Sequence, residues 1–135
     1  MTSAAEKGLE NWHRVIENGS RPDELAAMID EDAVFHSPVV HTPQRGQAIV
    51  TAYLAAAGQT LGNAEFRYVR TMTDGHDALL EFTTEMDGIH VNGIDLIRFD
   101  DEGKIVDFKV MVRPLKAVNK VWEQMGAELE RMKGD

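Results

Sequence analysis

Apolar side chains recur every three or four positions as far as Gly62 and every second position after it, so the chain reads as helices followed by a sheet. Leu9, Trp12 and Ile16 mark one face of a helix running from Ala5 to about Asn18 and ended by Gly19. A short helix follows Arg21, with Pro22 in its first turn, Asp23 and Glu24 near the positive end of its dipole, and Leu25, Met28 and Ile29 on its buried side. Ala33 to Ser37 reads as a brief strand stopped by Pro38, because the residue before proline is pushed out of helical geometry. The segment VVHTPQRG is then a loop, and a third helix is expected from Gln44 to about Gly58, carrying Ile49 and Tyr53.

Period two takes over beyond Gly62, where the sheet is expected to begin. Phe66 and Tyr68 alternate with Arg67 and Val69, and Leu80, Phe82, Thr84 and Met86 with Glu81, Thr83 and Glu85. The pairs Asp74-Gly75 and Asp87-Gly88 are turn signals, and Asp101-Glu102-Gly103 turns the last two strands. In the final strand Phe108, Val110 and Val112 alternate with Asp107, Lys109, Met111 and Arg113. Pro114 can open a C-terminal helix whose apolar stripe is Val118, Val121, Trp122, Met125 and Leu129. Four antiparallel strands with helices gathered on one side make an α+β domain, and a curved sheet closed by helices leaves an apolar concavity suited to a small ligand. The 135 residues are expected to form a single domain, 1–135.

Charge and composition narrow the partners. A formal net charge of −9, without a run of lysine or arginine, argues against nucleic acid and anionic membrane surfaces. With no cysteine there is no thiolate zinc site and no cysteine nucleophile, and a reducing cytoplasm is compatible. The first residues, MTSAAEKGLENW, lack an apolar signal core, and no apolar run approaches the roughly 20 residues of a membrane span. A cytoplasmic location is the expectation.

One position breaks the pattern: Asp95 interrupts an otherwise apolar strand between Ile94 and Leu96. A carboxylate buried without a partner is costly, so either its pKa rises or a cation joins it. Two stretches around and before it, IDLIRFDDEGKIVDF and DEDAVFHSPVV followed by Arg45-Gly46, resemble the nuclear transport factor 2-like superfamily, with its SnoaL-like polyketide cyclases and ketosteroid isomerases. The resemblance covers nearly the whole chain. It implies a cone-shaped fold, a curved antiparallel sheet wrapped by three to four helices around an apolar pocket, and a homodimer. By the same resemblance Asp95 falls where the isomerase has its oxyanion-hole aspartic acid, a carboxyl kept neutral so that it can donate a hydrogen bond. The isomerase's proton-transferring aspartate falls on Ser37, before Pro38-Val39, and its oxyanion-hole tyrosine on Trp12. Steroid isomerisation by that mechanism is therefore not expected.

The candidate catalytic set is Asp95 as acid, Trp12 to fix an oxygen, and His41 to move a proton; His36 sits on the opposite face of its strand from Phe35 and Ser37. Candidate ligand contacts are Ser37, Phe35, Tyr53, Phe82, Met111 and Arg113, with structural roles as the competing reading for each. Tyr68 is a further candidate hydroxyl, or a core tyrosine with its hydroxyl satisfied. His13 and His90 are weaker candidates, and no HxH or HxxxH spacing suggests a metal, so neither metal nor cofactor is expected. The expected activity is a cofactor-free isomerase, cyclase or lyase acting on a small hydrophobic, cyclic or carbonyl-bearing metabolite. Two other readings compete: a noncatalytic binding or assembly module with Asp95 ion-paired, and an epoxide hydrolase using Asp95, Asp107 and Arg113 around one water.

Overall fold

The computed structural model describes residues 2–133. Two helices, α1 (Ala4–Glu17) and α2 (Pro22–Ala27), lead into strand β1 (Ile29–His36). A two-residue strand β2 (Gln44–Arg45) and helix α3 (Gln47–Leu61) follow. Then come β3 (Arg67–Asp74), β4 (Asp77–Met86), β5 (Ile89–Phe99) and β6 (Ile105–Arg113), and α4 (Leu115–Lys133) closes the chain. The strands make one curved, six-stranded sheet in the order β2-β1-β6-β5-β4-β3.

The four strands after Gly62 are antiparallel neighbours, as the alternation predicts. The sheet nevertheless begins earlier than expected. Strand β1 is longer than the apolar run suggests and pairs in parallel with β6, while β2 pairs antiparallel with β1. Gln44 and Arg45, expected in the third helix, form β2 instead. The reason is Gly46: its φ of +110° breaks the helical path, and its N–H donates to the Ala33 carbonyl. The C-terminal stripe differs too, since Trp122 is 63% exposed while Ala117 and Val121 are buried.

Helix α1 is started by a reciprocal cap in which the Ser3 hydroxyl accepts from the Glu6 N–H and the Glu6 carboxylate accepts from the Ser3 N–H. Its buried face, including Leu9, Trp12 and Val15, lies against the sheet. On β4 and β5 burial alternates residue by residue, so Leu80, Phe82, Val91, Gly93, Asp95 and Ile97 all face the helices. Fully burying an aromatic such as Phe82 or Phe108 is worth roughly 1.5–3 kcal/mol, and these rings line the hollow as well as the core.

Gly93 is what lets Phe82 lie where it does. The two residues are cross-strand partners, and a Cβ on Gly93 would come 2.5 Å from Phe82 Cζ and 2.8 Å from the Met111 carbonyl oxygen. Gly93→Ala is therefore expected to lower stability by about 1–3 kcal/mol, the usual cost of overpacking, in urea unfolding followed by circular dichroism. A loss below about 0.5 kcal/mol would mean that Phe82 moves aside freely.

Candidate functional site

Between the inner face of the sheet and helices α1 and α3 lies an apolar cavity of about 70 Å³. Trp12 and Ile16 from α1, Leu54 from α3, Phe66 before β3, Phe82 from β4 and Phe108 from β6 supply its walls. Tyr68 and Asp95 bring the only titratable side chains to it among the described residues. A second cavity of about 120 Å³ adjoins it, lined by Phe35, Ser37, Tyr53, Trp122 and Met125 among others. The two share Ala57, Leu61 and Val110 in their linings. For scale, an engineered apolar cavity of roughly 150 Å³ holds benzene, so the first cavity alone takes only a small group and a ring system needs both.

Three side chains form a directed hydrogen-bond relay at the cavity wall. The Trp12 indole N–H donates to the Tyr68 hydroxyl oxygen over 3.0 Å, and the Tyr68 O–H donates to Asp95 Oδ2 over 3.1 Å. An indole can only donate, so the Tyr68 oxygen accepts from Trp12 and its proton points to Asp95. Oδ2 is thus occupied as an acceptor. The acidic proton of Asp95, when present, sits on Oδ1, which has no protein partner among the described residues, and Asp95 lines the cavity.

Asp95 is 7% exposed, and among the described residues no basic side chain is paired with it. Burial pushes its carboxyl from 3.8 up to about 7, against the Tyr68 hydrogen bond, which lowers it. Burial also drives the Tyr68 hydroxyl well above its usual value, and the neighbouring Asp95 charge pushes the same way. Tyr68 therefore stays protonated at neutral pH while Asp95 is present in both forms.

The expected site residues divide between the two sides of the sheet. Trp12, Phe82 and Asp95 meet at the first cavity, and Phe35, Ser37 and Tyr53 line the second. The Trp12 N–H is already used on Tyr68, so it holds the relay rather than a ligand oxygen. Ser37 accepts from the Val39 N–H, and Phe35 stacks on Tyr53 with ring centres 5.0 Å apart. Met111 and Arg113 were expected at the ligand but lie on the outer face, because alternation on β6 turns Phe108 and Val110 inward instead. Met111 is half exposed, and Arg113 donates to Asn92 Oδ1. His41 is exposed and with His36 lines a more open hollow of about 410 Å³ that shares Ser37, Pro38, Val40 and Val110 with the second cavity, while neither histidine lines the first or second cavity. His36 is held by Asp107 at 2.9 Å, so Asp107, Arg113 and Asp95 do not converge on one water. His13 packs edge-on to Tyr68 and His90 is exposed. The residue that sequence reasoning underweighted is Tyr68. Its signal was its place two positions after Phe66, in a stretch whose sequence alternates, and both side chains line the same hollow as Asp95.

The SnoaL-like domain family matches residues 9–108. No curated protein matches the chain. Among solved structures, a steroid delta-isomerase from Pseudomonas aeruginosa is 35% identical with a TM-score of 0.89, over 98% of this chain and 96% of that one. A protein from Silicibacter pomeroyi with a cystatin-like fold is 33% identical with a TM-score of 0.77, over 87% and 83%. The epoxide hydrolase/cyclase-like enzyme SalBIII has the same fold, with 21% identity, a TM-score of 0.63, and coverage of 82% and 90%. The nuclear transport factor 2-like fold expected from the sequence is the one observed.

Two outcomes test the electrostatics. Because the folded-state pKa of Asp95 is raised, folding binds a proton between pH 3.8 and about 7, and stability falls as pH rises through that window. Asp95→Asn removes this dependence: its stability relative to wild type, from urea titrations, should climb from about pH 4 to about pH 7 and then level off, by at most on the order of 4 kcal/mol. A flat difference would mean that Asp95 titrates normally. Tyr68→Phe deletes the hydrogen bond that lowers the Asp95 pKa, so the levelling-off point should move to higher pH; a move to lower pH would contradict the relay.

Proposed function

Because the chain belongs to the SnoaL-like domain family, within the nuclear transport factor 2-like superfamily, and presents one neutral-capable carboxyl to an apolar cavity, we propose that it is a cofactor-independent enzyme acting on a small apolar carbonyl compound. The observation that carries this reading is the Trp12–Tyr68–Asp95 relay, which leaves Asp95 Oδ1 to donate into the cavity. A carbonyl oxygen placed there receives a hydrogen bond that strengthens as negative charge develops on it. In an enclosed, apolar surrounding that stabilisation is far larger than in water.

The missing base limits the chemistry. Moving a proton from one carbon to another needs an acceptor beside the carbon, and Ser37, which stands at that position, is a poor one. Asp95 is the one carboxyl lining either cavity among the described residues. The arrangement therefore favours substrates that bring their own acidity, such as linear polycarbonyl compounds already present in part as enols. Intramolecular aldol closure fits: the enol carbon bonds to the carbonyl carbon, the new alkoxide takes the Asp95 proton, and the enol hydroxyl returns a proton to the Asp95 carboxylate. No atom is gained or lost, and Asp95 ends as it began. The likeness to a steroid delta-isomerase supports an apolar, oxygen-bearing ligand, and a bound oxosteroid would need both cavities joined.

A linear diketone able to close on itself tests the reading. Wild type should accelerate closure, and Asp95→Asn should reduce kcat by about 100-fold or more, in line with the loss of an oxyanion donor or general acid. An unsaturated oxosteroid should raise the wild-type melting temperature, with an affinity for Asp95→Asn up to about tenfold weaker, the upper end of one neutral hydrogen bond's worth. Equal affinity and equal rates in the two proteins would sink the acid role. Oxosteroid binding that depends on Asp95, with no turnover of any diketone, would instead favour a noncatalytic binding protein.

A further inference from the structure

Ser20 occupies a place in the chain that suits serine badly. It follows Gly19 at the end of α1 with a left-handed φ of +55°, a conformation that glycine adopts freely and a residue with a Cβ does not. Its N–H donates to the Val15 carbonyl over 3.0 Å, so the helix end fixes the backbone there and any side chain at 20 meets the same strain. The hydroxyl gives nothing back locally. It caps neither helix, since α2 has no side-chain cap, and among the described residues the Ser20 oxygen has no hydrogen-bond partner.

The facing helix departs from its best sequence at the same point. Gly58 lies inside α3, where only proline is a poorer helix former. A Cβ there would come 2.5 Å from both Cβ and Oγ of Ser20, so the bare glycine is what admits the Ser20 hydroxymethyl group. Two locally unfavourable choices thus converge on one result: a hydroxyl, on a residue only 7% exposed, in the lining of the first cavity. Trp12, Ile16 and Ser20 follow one another at four-residue intervals and all line that cavity, which places Ser20 beyond Ile16 from the relay. Eight residues of helix rise about 12 Å, and the turn after Glu17 shortens this, so the Ser20 hydroxyl stands on the order of 10 Å from the Asp95 end.

We propose that Ser20 is a ligand contact that sets specificity: the compound held with its carbonyl at Asp95 carries a second, distant oxygen that bonds to the Ser20 hydroxyl. This rests on the reading of Asp95 as the carbonyl contact. A serine hydroxyl both donates and accepts, so the second oxygen is a hydroxyl or another carbonyl. The other side chains of the lining are apolar or, in Trp12 and Tyr68, already bonded to one another and to Asp95. A second oxygen of the ligand therefore finds its partner at Ser20 or goes unpaired in this cavity, which is costly.

Calorimetric titration of the full chain with octan-2-one and with 8-hydroxyoctan-2-one, whose extended length matches that separation, tests the contact. Wild type should bind both. Ser20→Ala and Ser20→Gly should each weaken the hydroxy ketone by about tenfold and octan-2-one by less than about twofold, because only the hydroxy ketone is left with an unpaired oxygen. Unliganded Ser20→Gly should melt no lower than wild type, since glycine relieves the left-handed φ, and this separates loss of the contact from loss of the fold. Asp95→Asn should weaken both ketones by the same factor. If it weakens neither while Ser20→Ala still singles out the hydroxy ketone, the carbonyl reading fails and the Ser20 contact stands. Equal losses for the two ketones on Ser20→Ala, no loss for either, or no binding of either to wild type at about 10 mM overturns the Ser20 contact. A preference lost in Ser37→Ala and kept in Ser20→Ala overturns it as well, because Ser37 lines the second cavity and not the first.

Discussion

A carboxyl group buried against a tyrosine, with no cation paired to it among the described residues, is the constraint around which this site is arranged. An ionised, unpaired carboxylate in such surroundings is costly, so Asp95 holds its proton nearly to neutrality. The Trp12–Tyr68 pair sets which oxygen is free without supplying charge. Helix α1 must present Trp12, β3 must present Tyr68 and β5 must present Asp95 at one point, so the capped helix and the sheet register are both part of the site. Gly93, two residues before Asp95, leaves room for the Phe82 ring that walls the same hollow.

Much of this was legible in the chain. The change from helical to alternating spacing near Gly62 located the antiparallel strands, and the interruption at Asp95 located the acid. What the sequence did not reveal came from long-range geometry. The parallel pairing of β1 with β6 leaves no local signature, because the partners lie far apart in the chain and the connection runs through α3. The start of α3 was misplaced because the left-handed glycine after Arg45 acts only once β2 has found β1. Met111 and Arg113 had the right chemistry for a ligand and the wrong parity, which the alternation of β6 itself already implied. His41 sits on a loop, where no periodicity assigns a side.

Strand β5 works on both of its faces. Inward it gives the cavity the one carboxyl that lines it among the described residues; outward it carries Ile94 and Leu96. One short sequence, NGIDLIRF, thereby sets an acidic position and an apolar pair on opposite faces, separated only by the pleat. The site that results is asymmetric in its lining: among the described residues Asp95 is the one carboxyl at either cavity, with no second carboxyl beside it. That asymmetry is why the proposed reading is an aldol-type closure rather than a double-bond migration.

The claim on which the rest turns is that Asp95 is half-protonated near neutral pH because burial raises its pKa against the Tyr68 hydrogen bond. The carboxyl ¹³C resonance of Asp95, followed in the wild-type protein from about pH 3 to about pH 9, measures this directly. The account predicts a midpoint near 7; a midpoint close to the ordinary 3.8 would contradict it.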